Sequence, residues 1–162
     1  WPGAPTLYYG DEAGVCGFTD PDNRRTYPWG HEDQELVAFH KEIIRIHKSC
    51  EELRTGSLIE LKSGDDFLAY ARFNASMYSI VLMNCANQEM TQKVPVWLAG
   101  VPCAMDYMEK AGNELKAEVK LTRLICTDET GYQTDPMEFA VVDGSITVTL
   151  PKFSAMLLRY TD

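Results

Sequence analysis

GAPTLYYGDEAGVCGFTDPDNRRTYPWG, residues 3–30, is dense in glycine, aromatic rings and charge, and its reading decides the fold. Within it, Pro5-Thr6-Leu7-Tyr8-Tyr9 is a short, continuously apolar run bounded by proline and glycine. That is the pattern of a strand covered on both faces, as in a parallel sheet. The run leads into Gly10-Asp11-Glu12 and a loop of about twenty residues that ends near Trp29-Gly30. Structureless loops of that length are uncommon in compact domains unless they carry function or are disordered. Phe18, Tyr27 and Trp29 argue against disorder.

Outward from this stretch, residues 32–50 read as a helix. Leu36, His40, Ile43, His47 and Cys50 recur at spacings of three and four, and Val37, Phe39, Ile44 and Ile46 widen the apolar face. Glu32, Asp33 and Glu35 at its start and Arg45 and Lys48 at its end suit the helix dipole. Strand, long loop and helix make one βα unit of a parallel sheet, and no second copy follows. A parallel strand buried on both sides needs neighbouring strands that this sequence does not contain.

From residue 57 onward the apolar period changes to two. Segments 58–61, 67–73, 77–83, 92–97, 104–108, 121–126, 138–142, 145–150 and 155–160 read as short strands. Gly64-Asp65-Asp66 and Asn74-Ala75-Ser76 supply turns, and Asp143-Gly144 is the strongest hairpin signal in the chain. Strands at this spacing make an antiparallel sandwich. Residues 109–136 resist assignment, since 110–120 fit a helix, a strand or a loop. Asn74-Ala75-Ser76 also matches a glycosylation sequon, but a hairpin turn explains it without secretion.

Composition narrows the function. The 162 residues are 45% hydrophobic and 24% charged, which is globular rather than disordered. A formal net charge of −9 argues against nucleic acid as a partner, because phosphate neutralisation needs clustered lysine and arginine. No apolar run approaches a membrane span, so no membrane partner is expected. Cys16, Cys50, Cys85, Cys103 and Cys126 are odd in number and widely spaced, with no C-x-x-C, and the three histidines have no partners at zinc-like spacing. The expectation is therefore reduced thiols, a cytoplasmic location, and neither a metal nor a cofactor. Asp65-Asp66, Asp128-Glu129 and Asp135 lack the calcium-loop pattern.

The residues 3–12, then Asp20-Pro-Asp-Asn-Arg-Arg25, then Pro28-Trp29 resemble glycoside hydrolase family 13, the α-amylase family. The likeness is nearest to the neopullulanase, cyclomaltodextrinase and maltogenic amylase branch. Residues 148–158 look like the closing strands of that family's C-terminal domain. The resemblance implies a mainly β fold: an antiparallel Greek-key β-sandwich preceded by the last βα unit of a (β/α)8 barrel. Residues 1–55 would be the last strand, active-site loop and helix of that barrel, and residues 56–162 the sandwich. The chain, which opens on Trp1, is then expected to be the C-terminal part of a longer glycosidase. Loops after the strands of such a barrel form its active-site face, so residues 10–30 read as one wall of a site.

Glycoside hydrolysis needs two carboxyl groups facing each other across the scissile bond, about 5 to 5.5 Å apart for retention. Asp11 and Glu12 are adjacent, so their side chains diverge in extended backbone, and they make a poor catalytic pair. They are expected to hold the loop through a basic group or backbone N–H groups. The Arg-x-Asp and Asn-His-Asp signatures of the family's catalytic carboxylates have no counterpart here, so no catalytic residue is assigned and the chain alone is expected to be inactive.

Asp20 and Arg24 are the candidate substrate-binding residues, one accepting and one donating hydrogen bonds to sugar hydroxyls. Resemblance implies contact with glucose on the non-reducing side of the cleavage point. An internal Asp20–Arg24 ion pair that shapes the loop stands beside that reading. Arg25 is expected to be structural. Tyr8, Phe18, Tyr27 and Trp29 are either ring platforms for sugar or anchors of the loop, and His40 and His47 are expected to be packing histidines. The expected partners are an α-glucan oligosaccharide, bound by the whole enzyme, and the rest of the barrel. An apolar patch along residues 1–50 leads to the further expectation of self-association. The alternative is a non-catalytic carbohydrate-binding or interaction β-sandwich, with Trp97 as its sugar contact.

Overall fold

A computed structural model describes residues 2–96 and 120–161. The chain divides into two compact units, Gly3–Cys50 and, from Glu51 onward, a β-rich unit.

In the first unit, Gly10 and Gly14 take φ of 93° and 77° at the two ends of a single helical turn, Asp11–Ala13. A second such turn covers Asp22–Arg24. Helix α1 follows, Gln34–Ser49. Asp33 caps it, its carboxylate accepting from the backbone N–H groups of Glu35 and Leu36 at 3.1 and 3.0 Å. The backbone N–H of Asp33 donates to the Ala13 carbonyl at 3.1 Å, tying the helix start to the first turn.

The apolar run 5–9 is not a strand. Leu7, Tyr8 and Tyr9 are all substantially exposed. A strand exists through hydrogen bonds to neighbours, and among the described residues no strand pairs with this run. The sequence pattern therefore records a preference that no described element of this chain satisfies.

The second unit begins with α2, Glu51–Thr55. The strands are β1 Ser57–Ser63, β2 Phe67–Phe73, β3 Tyr78–Asn84, β4 Met90–Pro95, β5 Lys120–Asp128, β6 Gly131–Gln133, β7 Glu138–Ala140, β8 Ser145–Leu150 and β9 Ser154–Thr161. Among the described residues they form a seven-stranded sheet in the order β1-β2-β3-β9-β5-β6, with β7 also on β5, and a two-stranded sheet of β4 and β8. Among the described residues every strand pairing is antiparallel. The expected strand 104–108 and the segment 110–119 lie outside the described residues, as does Trp97.

The pleat explains the core. Ile80 and Leu82 of β3, Met156 and Leu158 of β9, and Val94, Ile146, Val148 and Leu150 of the smaller sheet are buried in one apolar cluster. The β1–β2 and β2–β3 hairpins close at residues 64–66 and 74–76 as the sequence indicates. In the second, the Asn74 side-chain carbonyl accepts from the N–H groups of Ser76 and Met77 at 2.9 and 2.8 Å. Asp143 and Gly144 both have positive φ, 49° and 68°, and Val142 bridges to Ser145 across them. Two left-handed residues in a two-residue loop are the geometry a twisted hairpin prefers.

Candidate functional site

The site begins with the backbone of residues 17–25. The N–H groups of Asp22 and Asn23 both donate to the Thr19 carbonyl, at 2.7 and 3.3 Å, and that of Arg24 donates to Pro21 at 3.1 Å. The guanidinium of Arg25 clasps the Asp22 carboxylate, its Nε at 2.8 Å. That hydrogen bond is the main reason the Asp22 carboxyl sits below its ordinary value, with the Phe18 N–H adding to it. Gly17 passes so close to the turn that a Cβ there would lie 2.6 Å from the Asn23 Cα. Only glycine fits that approach.

This turn displays Asp20 and Arg24. Their carboxylate and guanidinium lie 3.2 Å apart, and both side chains stay about two-thirds exposed, at 64% and 63%. The structure thus brings the two candidate residues together as an ion pair that is open to solvent. Water competes with such a pair, so it contributes little to stability. Both groups keep hydrogen-bonding capacity for a ligand.

Asp11 and Glu12 fall in the first helical turn. The Glu12 carboxylate accepts from the Gly10 backbone N–H at 3.0 Å. The Tyr9 hydroxyl donates to the Arg25 carbonyl at 2.8 Å, joining the run 5–9 to the far side of the loop. Beneath them lies a cleft of about 610 Å³ lined by Leu7, Tyr9, Glu12, Tyr27, Val37 and His40 among others. The Tyr27 hydroxyl is held above its ordinary value, mainly by loss of solvation and further by Glu12 and Glu32. Tyr27 also stacks obliquely on Trp29, ring centres 4.6 Å apart.

On α1, the His40 Nδ1 lies 2.9 Å from the Leu36 carbonyl, which makes it the protonated nitrogen. The Nε2 of His47 is buried with no hydrogen-bond partner among the described residues, so His47 is only partly satisfied. No group of three or more metal-ligating side chains gathers among the described residues.

The sequence reading passed over a buried polar cluster in the β-rich unit. Glu52 of α2 is fully buried, accepts from the Ser79 hydroxyl at 2.6 Å and from Arg159 Nε at 2.8 Å, and so pins α2 to β3 and β9. Burial pushes its carboxyl up, but the Ser79 hydroxyl and the Arg159 guanidinium together outweigh burial and leave it below the ordinary value. Arg72, equally buried, donates to the carbonyls of Gly56 and Ser57 at 2.8 and 3.3 Å. No local spacing signals these pairings, since Glu52 and Arg159 stand 107 positions apart.

No family model matches the chain. It is 49% identical over 72 residues to an amylopullulanase of Thermoanaerobacter thermohydrosulfuricus, covering 44% of this chain and 5% of that protein. It is 30% identical over 127 residues to neopullulanase 2 of Thermoactinomyces vulgaris, covering 74% of this chain and 21% of that one. Other relatives bear the names cyclomaltodextrinase and intracellular maltogenic amylase. Among solved structures, a debranching enzyme of Nostoc punctiforme superposes with a TM-score of 0.65 at 26% identity, over 98% of this chain and 28% of that one. An Anoxybacillus α-amylase shares the fold with a TM-score of 0.70. The chain thus spans between about a twentieth and a fifth of the relatives it matches. The antiparallel unit has the fold of α-amylase C-terminal domains, and in sequence and fold the chain is similar to one part of enzymes of the α-amylase family, glycoside hydrolase family 13.

Proposed function

We propose that this chain is the C-terminal part of a retaining glycosidase that cleaves α-glucosidic bonds in maltodextrins, cyclodextrins or pullulan. Residues 1–55 would complete a (β/α)8 barrel, with the run 5–9 taking up strand pairing when its neighbours are present. Residues 56–162 would support that barrel as its sandwich. The observation that carries the reading is the locked turn at residues 17–25, which presents a carboxylate and a guanidinium side by side and open to solvent. Asp20 and Arg24 would then grip adjacent hydroxyls of a glucose unit, and Asp11 and Glu12 would hold the loop. The catalytic carboxylates would come from other strands, and the chain alone would hydrolyse nothing.

Partners follow from the same reading: an α-glucan reached through the whole enzyme, and the remainder of the barrel. The exposed Leu7, Tyr8, Tyr9, Phe18 and Trp29 support self-association of the isolated chain. No described helix is long and apolar enough to cross a membrane, and a cytoplasmic setting fits the intracellular relative.

The test is hydrolysis of pullulan, cyclodextrin and maltoheptaose by the full reading frame and by the 162-residue chain. Activity in the first alone is expected, and Asp20→Ala or Arg24→Ala in the full protein should raise KM more than it lowers kcat. Activity in the short chain, or none in either, would contradict the reading.

A further inference from the structure

Between Tyr9 and Arg25 the chain leaves the run 5–9, makes two short helical turns and comes back. The two residues meet at the neck of this loop, where the Tyr9 hydroxyl donates to the Arg25 carbonyl at 2.8 Å. Among the described residues no backbone hydrogen bond joins residues 5–9 to residues 17–30, so that hydroxyl is the tie between them. A loop whose ends are close is held by its own side chains, and a bond at the neck restricts everything it encloses.

Arg25 is gripped at both of its ends. Its carbonyl accepts from Tyr9, while its Nε and Nη2 both donate to one oxygen of the Asp22 carboxylate. Within the turn, the Asp22 N–H donates to the Thr19 carbonyl and the Arg24 N–H to the Pro21 carbonyl. These inner bonds fix the shape of the turn, but none of them fixes where it points from the run 5–9. The neck bond supplies that reference. An ion pair as exposed as Asp22–Arg25 holds its geometry weakly in water, so the clasp depends on a backbone already in place.

We infer that Tyr9 is a positioning residue: its hydroxyl, acting through Arg25, sets the direction in which the turn presents Asp20 and Arg24. The inference rests on the reading of Asp20 and Arg24 as sugar contacts and adds what aims them. Tyr9 and Arg25 serve as frame and touch no sugar. A frame complete before the ligand arrives spares the ligand the cost of ordering the turn. Its effect falls on binding rather than on bond cleavage, because the same frame serves ground state and transition state alike.

The experiment turns on Tyr9→Phe, which removes the hydroxyl and keeps the ring. In the 162-residue chain the Asp22 side-chain carboxyl is titrated by NMR in the native protein, in Tyr9→Phe and in Arg25→Ala. The native carboxyl lies below its ordinary value, chiefly through its hydrogen bond with Arg25. Tyr9→Phe should move it up toward the ordinary range, in the direction of Arg25→Ala. A tyrosine that only packs would leave the titration where it was, and that result would overturn the inference. In the full reading frame, Tyr9→Phe should raise KM for maltoheptaose about two- to tenfold, as the loss of one neutral hydrogen bond implies, and change kcat less. A KM raised by Asp20→Ala and unmoved by Tyr9→Phe would also overturn it, leaving the Asp20–Arg24 reading standing. A KM moved by neither would remove that reading and the inference together. Unchanged amide signals of α1 and β3 serve as the folding check.

Discussion

Residues 3–50 and the β-rich unit that follows spend similar apolar side chains in opposite ways. The β-unit buries Ile80, Leu82, Ile146, Leu150 and Leu158 completely, whereas the first unit leaves Leu7, Tyr8, Tyr9, Phe18, Trp29 and Ile44 substantially exposed. Among the described residues of the first unit only Ala13, Ile46 and Cys50 are buried apolar groups. The lesson concerns what each pattern needs. Antiparallel hairpins pair within themselves, so their alternation is satisfied by local chain. A parallel-type strand is satisfied only by strands from elsewhere in sequence.

The sharpest way to break this contrast is to truncate one leucine in each unit. Leu82→Ala in β3 should cost about 2–5 kcal/mol in urea unfolding, because it empties a fully enclosed position. Leu7→Ala, nearly half exposed, should leave the urea midpoint almost unmoved. Equal losses would show that the first unit has a core of its own.

Next in size is the Glu52 cluster. Glu52→Ala leaves Arg159 without its carboxylate and should cost about 3 kcal/mol in the same measurement. The pH dependence has a fixed sign. Because the folded carboxyl lies below its ordinary value, its stabilisation is fully present at neutral pH, where the unfolded group is also ionised. It fades as pH falls from the unfolded value, about 4.3, through the folded one. Melting temperatures of the native chain should therefore drop more steeply on acidification than those of Glu52→Gln, and parallel curves would refute the assignment.

Much of the β-unit was legible because its signals are local. β2 and β8 fall on the residues that alternation and turn chemistry mark, and Asp143-Gly144 adopts the paired left-handed geometry its composition invites. The three-residue β6 escaped notice because Gly131-Tyr132-Gln133 has no period to read. It is instead set up by Asp128, whose carboxylate accepts from both the N–H and hydroxyl of Thr130 at 2.7 and 2.6 Å. The Asp20–Arg24 ion pair was one of the two readings the loop's composition left open, and the structure contains it. The Glu52–Arg159 pair was not legible, since charged side chains read as solvent-facing until the fold encloses them.

A smaller test concerns the hairpin itself. Gly144→Ala places a Cβ at φ 68° and should cost about 1 kcal/mol, seen as a modestly lower urea midpoint. Smallest of all, Asp20→Asn should leave the melting temperature unchanged, since its partner and itself are mostly in water. A clear loss there would make the pair a structural brace and count against its proposed role in sugar binding.

The central claim is that residues 3–30 are one wall of a site whose other walls lie in additional chain. Sequencing the source gene upstream of Trp1 tests it most directly. The account predicts an uninterrupted frame of a few hundred residues that encodes seven further βα units and the family's catalytic carboxylates. A start codon just ahead of Trp1 would contradict it, and would leave the run 5–9 and the Asp20–Arg24 turn with no barrel to serve.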